Sequence, residues 1–465
     1  MIKFGALKLA QQMYKNLLFQ LGPTVLENRF WATDVGKIHR AIPWDQLCLL
    51  VPAPASSVSG LGRKPWMDVK GGIGLQFLKH YLQLSDAKLI ERINTDWSLQ
   101  YFCGIQLKPG QAITDKDLPS HWRTYLGKYL DIDKWQQAFA SRWKVHMQQP
   151  QSSMQDATCY ESRIAHPTDV KLLWHSCNTV HVIIQQIRHQ HHERKSRNNY
   201  GDRRREFLSY QKTRKKTRRQ EKKLRKKLLK YLLRLLMLLG ELCKKHGVKL
   251  PARKKELLGT IEQLYEQQVK KIHGQKIEDR IVSLAKSYIR PIIRGKEVKG
   301  VEFGAKVNKL QVDGISFIEH LSYDAFNEGT RLEKGIRLHE KLLGKCKHVS
   351  ADAIYATNAN RRYCKRKGIV TNFIPKGKQK SEHIEQAALM RRVLNRERST
   401  RLEGSFGNEK NHYLLNKVNA RNQYTETCWI FFGIHTANAV MIGKRIDANV
   451  QRSNAPPQRK LRLTA

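Results

Sequence analysis

Residues 301–324, VEFGAKVNKLQVDGISFIEHLSYD, alternate apolar and polar side chains about a centre at Val312–Asp313–Gly314, the period of a strand and the chemistry of a hairpin turn. The pattern then changes period. LEKGIRLHEKLL reads as a helix, KHVSADAIYAT at 347–357 as a short strand, ANRRYCKRKG as another helix and GIVTNFIP as a further strand. Strands first and then alternating helices and strands predict a mixed sheet covered by helices, an α/β class. RLEGSFGNEKNHYLL at 401–415 reads as an amphipathic helix in which Glu403, Phe406, Gly407 and Lys410 share a stripe.

Upstream the pattern is helical. In MDVKGGIGLQFLKHYLQLSDAKLIERIN, Leu75, Leu78, Tyr81 and Leu82 keep a helical rhythm, and Ser85 before Asp86 supplies an N-cap for a second helix. A helix pair with so short a turn can bind DNA, and it can equally be plain bundle core. Between the two patterns, Leu228, Leu232, Leu235, Leu239 and Leu242 alternate spacings of four and three, the seam of a coiled coil or helical hairpin. These shifts divide the chain into a helical N-terminal unit at 1–150, expected to bind DNA or to dimerise, and a mixed α/β unit in two pieces at 151–181 and 283–445. A basic helical insertion at 182–282 separates those pieces, and a basic tail occupies 446–465.

Composition sharpens the picture. Across 465 residues, 86 Lys and Arg stand against 40 Asp and Glu, a formal net charge of +46. Self-repulsion on that scale calls for a polyanionic partner, and nucleic acid fits. Twelve of the twenty residues at 211–230 are basic, among them Lys215, Lys216, Arg218, Arg219, Lys222 and Lys223, enough to neutralise many phosphates. No membrane partner is expected, because the most apolar run, 228–242, is too short to span a bilayer and contains Lys230 and Arg234. The N-terminus does not read as a secretion signal, and eight scattered cysteines without a CxxC pair fit reduced thiols in a cytoplasm. HQHHERK at 189–195 lacks a Cys or acidic partner at metal-site spacing and reads as a basic helix surface.

Three acids stand out by place. Asp156 lies in SSMQDATCYES, where Met154, Asp156, Thr158 and Tyr160 share one face of a strand. Asp352 ends the strand KHVSADA, at the carboxyl edge where open sheets build sites. Glu403 sits on the helix at 401–415. Phosphodiester chemistry with two divalent metals needs such hard oxygen ligands. Glu409 competes for the helical role, but it points about 120° away from the Glu403 stripe.

These segments resemble bacterial insertion-sequence transposases with a DDE catalytic core, of the group related to insertion sequence five. GRKPWMDVKGGIGLQFLKHYLQLSDAKLIERINTDWSLQYFCGI at 62–105 resembles the group's helical N-terminal domain. DATCYESRIAHPTDVKLL at 156–173 resembles its first-aspartate motif, SADAIYATNANRRYCKRKGI at 350–369 its second, and RLEGSFGNEKNHYLLNKVNAR at 401–421 its glutamate motif. The resemblance implies an RNase H-like, retroviral-integrase-like fold in which Asp156, Asp352 and Glu403 bind two Mg²⁺ or Mn²⁺ ions. It also implies that Lys410 contacts the transposon end.

The expected activity is DNA transposition: binding of terminal inverted repeats, metal-dependent hydrolysis and strand transfer into target DNA. The setting would be the bacterial cytoplasm or nucleoid, with a homodimer or larger synaptic complex. One departure stands out. The group places a Tyr and an Arg upstream of the glutamate, and the corresponding positions here hold Arg396 and Ser399, which leaves Arg398 or Arg401 to supply the charge. A metal-dependent nuclease that does not join ends, and an inactive DNA-binding derivative, are the alternatives.

Overall fold

The computed structural model describes residues 23–54, 65–194, 198–293, 300–377 and 384–454. The segment MIKFGALKLAQQMYKNLLFQ, Gly62 and Arg63 of the GR-P opening, and 455–465 of the expected tail lie outside these residues.

Strands β1 (Ser152–Glu161), β3 (Val301–Val312), β4 (Ile315–Ser322), β5 (His348–Ala351) and β6 (Val370–Thr371) build the main sheet in the order β4-β3-β1-β5-β6, with β2 (Pro291–Ile293) extending β3. β3 runs antiparallel to β1 and to β4, whereas β5 and β6 run parallel to β1. This is a mixed α/β architecture consistent with an RNase H-like core. The expected hairpin is present: Asp313 and Gly314 both take positive φ, 48° and 81°, the backbone that a tight two-residue turn requires.

Before β1 come the helices α1 (Pro23–Ala32), α2 (Asp34–Ala41), α3 (Trp44–Leu49), α4 (Val69–Leu82), α5 (Asp86–Thr95), α6 (Trp97–Phe102), α7 (Leu118–Tyr129) and α8 (Ile132–Trp143). Ser85 caps α5 by accepting from the Lys88 amide. α4 is buried along most of its length, from Val69 to His80. Asp86 at the turn pairs with Lys79 at 2.7 Å and Arg123 at 3.0 Å, and both cations lie over the Trp429 ring. Of the two readings of this helix pair, the geometry is that of core. One apolar cluster runs from Phe77, Phe139 and Trp143 through Phe317 on β4 to Phe431 on the last helix, so these helices and the sheet share a core.

The helical insertion leaves the sheet after β1. It comprises α9 (Asp169–Gln190), α10 (Tyr200–Lys212), α11 (Arg218–Lys245) and α12 (Ala252–Ile272). Thr217 and Gln220 cap α11 reciprocally, which starts the long helix at a defined residue. Leu228, Leu232, Leu235, Leu239 and Leu242 are all buried, in one cluster with Leu173, Trp174, Cys177, Val180 and Ile184 of α9. The leucine seam is therefore spent within the chain. α9 runs unbroken across residue 182, and its first turn already belongs to the helical cluster.

Beyond the hairpin, α13 (Leu332–Leu343) packs on β1, β3 and β4, and α14 (Asn358–Lys367) links β5 to β6. The last described elements are α15 (Ile384–Glu397), a π-helical turn at Arg398–Glu403, α16 (Gly404–His412) and α17 (Gln423–Asn454). No helix among the described residues is long and apolar enough to cross a membrane.

Candidate active site

Register brings the first two acids together. In the parallel pair, Gln155 stands opposite Ala351, so Asp156, midway along β1, and Asp352, just past the end of β5, are the next residues on adjacent strands. Asp352 is exposed and caps a short turn by accepting from the Ala353 amide at 2.8 Å. Asp156 is mostly enclosed. Burial pushes its carboxyl up to about 6, with the nearby negative charges of Glu328 and Asp352 adding to the rise and the Ala157 amide and Arg398 opposing it.

The third acid arrives on the π turn. Such a turn takes one more residue than an α turn and tends to occur at functional sites. Arg398, five residues before Glu403, thereby faces the acids: its Nη1 lies 3.3 Å from Asp156 and 3.2 Å from Glu403. Arg401 instead pairs with Asp313 at 3.1 Å and Glu397 at 2.9 Å. Across the π turn it is thus Arg398, and neither Arg396 nor Ser399, that pairs with Glu403. Asn395 accepts from the Asn372 side chain at 2.7 Å.

Below the acids lies a buried polar group that the sequence did not reveal. Lys309, paired with Asp156 across β3, is fully buried and holds Glu409 at 2.5 Å and Ser405 at 2.9 Å, with its ammonium over the Phe406 ring. The Tyr160 hydroxyl donates to the other Glu409 oxygen. Glu409, the competitor for the helical acid, is thus locked into the core, while the Glu403 side chain is half exposed. Lys410 donates to Thr158 at 3.2 Å and lies over Tyr160, which fastens α16 to the strand that carries Asp156. The only sequence signal for Lys309 was a lysine among inward-facing positions of an alternating strand, and solvated lysines produce the same signal.

The basic residues of the insertion are elsewhere. Lys215 and Lys216 occupy the turn before α11, and Arg218, Arg219, Lys222 and Lys223 its first two turns; all six are exposed. Asp169, in the first-aspartate motif, is 3 % exposed and gathers Arg225, Lys271, Arg280 and Gln268.

The acids offer hard oxygen donors of the kind a divalent cation takes. Among the described residues, no three His, Cys, Asp or Glu side chains converge closely enough to hold a metal ion as they stand, and Arg398 carries the positive charge between Asp156 and Glu403.

Comparison with known families gives two matches: residues 349–436 match the transposase DDE domain, a stretch that takes in Asp352 and Glu403, and residues 27–125 match a second family described as a transposase domain. Over these two stretches the chain is similar to transposases with a DDE domain. An uncharacterised protein of Rhizobium meliloti, ORF8 of the nfe locus, is 29 % identical over 103 residues, 22 % of this chain and 50 % of that protein. The chain thus spans about half the length of the curated relative it matches. No solved structure matches it. DDE transposases depend in general on divalent metal ions and act on DNA, which fits the surplus of cations on this chain.

Proposed function

We propose that the chain is a transposase of the group related to insertion sequence five, which recognises the terminal repeats of its element and performs hydrolysis and strand transfer with Asp156, Asp352 and Glu403 as metal ligands. The observation that supports this most is the register of β1 and β5, which sets two aspartates side by side where a glutamate from a third element can reach them. Two Mg²⁺ or Mn²⁺ ions held there would activate water and neutralise the leaving oxygen. The chain's own groups do the rest. Lys410, fixed against Thr158, positions the terminal phosphate, and the exposed cations of α11 hold the flanking duplex by its backbone. The freed 3′-hydroxyl then attacks target DNA in line. Joining two ends implies a dimer or larger assembly in the bacterial cytoplasm. The catalytic unit is read as 151–181 with 283–445, the insertion as 182–282, and the N-terminal unit as 1–150.

The test is cleavage of a labelled duplex carrying the element's terminal repeat. With Mg²⁺ or Mn²⁺ the wild type is expected to nick at the repeat end, and Asp352→Asn and Glu403→Gln to lower the rate by at least about 10³-fold while DNA binding persists. If the wild type binds the repeat but neither cuts nor joins it with either metal, the catalytic reading fails.

A further inference from the structure

Arg398 sits between two groups of acceptors. Its Nη1 reaches Asp156 at 3.3 Å and Glu403 at 3.2 Å, distances longer than those of good charge-assisted hydrogen bonds. Its Nε is buried without a hydrogen-bond partner. Buried donors are seldom left unmade, because each costs about 1–3 kcal/mol, so a guanidinium with one stretched nitrogen and one orphan nitrogen is poorly satisfied where it stands. It is also held on a π turn, a rare backbone element found frequently at functional sites. Meanwhile the oxygens it touches are those that a divalent cation would take, so guanidinium and cation compete for the same two carboxylates.

We propose that Arg398 couples metal loading to DNA engagement: its guanidinium counters Asp156 and Glu403 until a DNA phosphate draws it away and leaves both carboxylates to the metal. This rests on the reading of Asp156 and Glu403 as metal ligands. A phosphate suits the guanidinium because two of its oxygens accept from Nε and a terminal nitrogen together, which satisfies the orphan donor. The carboxylates, relieved of their counter-charge, then attract a cation more strongly. By linkage, metal bound first would equally strengthen the grip of Arg398 on phosphate.

The experiment is Mn²⁺ titration of the full chain, with free Mn²⁺ followed by electron paramagnetic resonance. It is run with and without a random-sequence duplex, and the ions bound by duplex alone are subtracted. For the wild type, duplex is expected to tighten Mn²⁺ binding about tenfold. For Arg398→Gln, affinity without duplex should rise towards the duplex-bound value, and the effect of duplex should fall below about threefold. Arg401→Gln makes the same change of charge three residues away, beside Asp313 and Glu397, and should respond as the wild type does. If Arg398→Gln binds Mn²⁺ no more tightly than the wild type, or keeps the full duplex effect, the coupling is refuted. Failure of the underlying site reads differently: Asp156→Asn would then bind as many Mn²⁺ ions as the wild type.

Discussion

Asp156 and Asp169 are thirteen positions apart, and both are largely shielded from solvent, with side chains 18 % and 3 % exposed. Their surroundings are opposite. Asp156 has Asp352 and Glu328 near it and one stretched contact to Arg398, so burial prevails and its carboxyl rises to about 6. Burial also acts to raise Asp169, but Lys271, Gln268 and Arg280 outweigh it, and the net position is below the ordinary carboxylate range. A buried carboxylate left wanting a cation is a site; one already surrounded by cations is a joint. Asp169 joins the first turn of α9 to α11 through Arg225, to α12 through Lys271 and Gln268, and to the returning chain through Arg280.

The widest separation between the two should appear on neutralisation. Asp169→Asn leaves Arg225 and its neighbours facing an uncharged amide in a nearly closed pocket, and loss of a buried partner of this kind costs about 3 kcal/mol. Asp156→Asn removes a charge that the fold holds at a disadvantage, and should gain about 2 kcal/mol at neutral pH. Urea midpoints of the two variants should move in opposite directions from the wild type. If both variants fall below it, Asp156 is held by its contacts as firmly as Asp169 is, and the contrast collapses.

The pH at which each effect fades sharpens the comparison. The folded value of Asp156, about 6, lies above the ordinary 3.8, so the folded chain binds the extra proton first. The cost of ionising it is complete above pH 6 and relieved as pH falls towards 4. The advantage of Asp156→Asn should therefore be full at pH 8 and gone near pH 4. Asp169 is shifted the other way, so its contribution stands above the ordinary value and is lost only as pH falls through the lower folded one. The deficit of Asp169→Asn should be equal at pH 8 and pH 5. Acid destabilises the whole chain meanwhile, because His39, His80 and His435 are buried with values near 3 and unfold to be protonated, but that cancels between each variant and the wild type. Equal pH dependence of the two differences would refute the assignment of opposite shifts.

Much of this arrangement was legible in the sequence where it depended on period. The alternation around Asp313–Gly314, the leucine seam of α11, the strand that carries Asp156 and the strand end before Asp352 are local patterns, and the structure keeps them. The site's third element was legible only by residue type. No hydrophobic period encodes a single π turn, so sequence spacing left open whether Arg398 or Arg401 meets Glu403, and the backbone brings Arg398 there. The Asp169 joint was illegible for another reason: its partners lie 56 to 111 residues downstream, and each is one more cation in a chain full of them. Lys309 was hidden in the same way, as a lysine whose burial becomes visible only when Glu409 and Tyr160 arrive from other elements.

The smallest effect tests how the joint divides its load. Arg225 is 11 % exposed, whereas Lys271 and Arg280 are 35 % and 40 % exposed, so water screens the outer pair. Screened pairs contribute at most about 1 kcal/mol, and replacement of one by methionine keeps much of the apolar stem in place. Arg280→Met should therefore shift the urea midpoint by less than a third of the Asp169→Asn shift. Arg225→Met, which removes the enclosed cation and leaves the outer two to face the carboxylate, should fall between them. If Arg280→Met is as damaging as Asp169→Asn, the returning chain rather than α11 carries the joint, and the helical insertion is anchored at its end instead of its first turn.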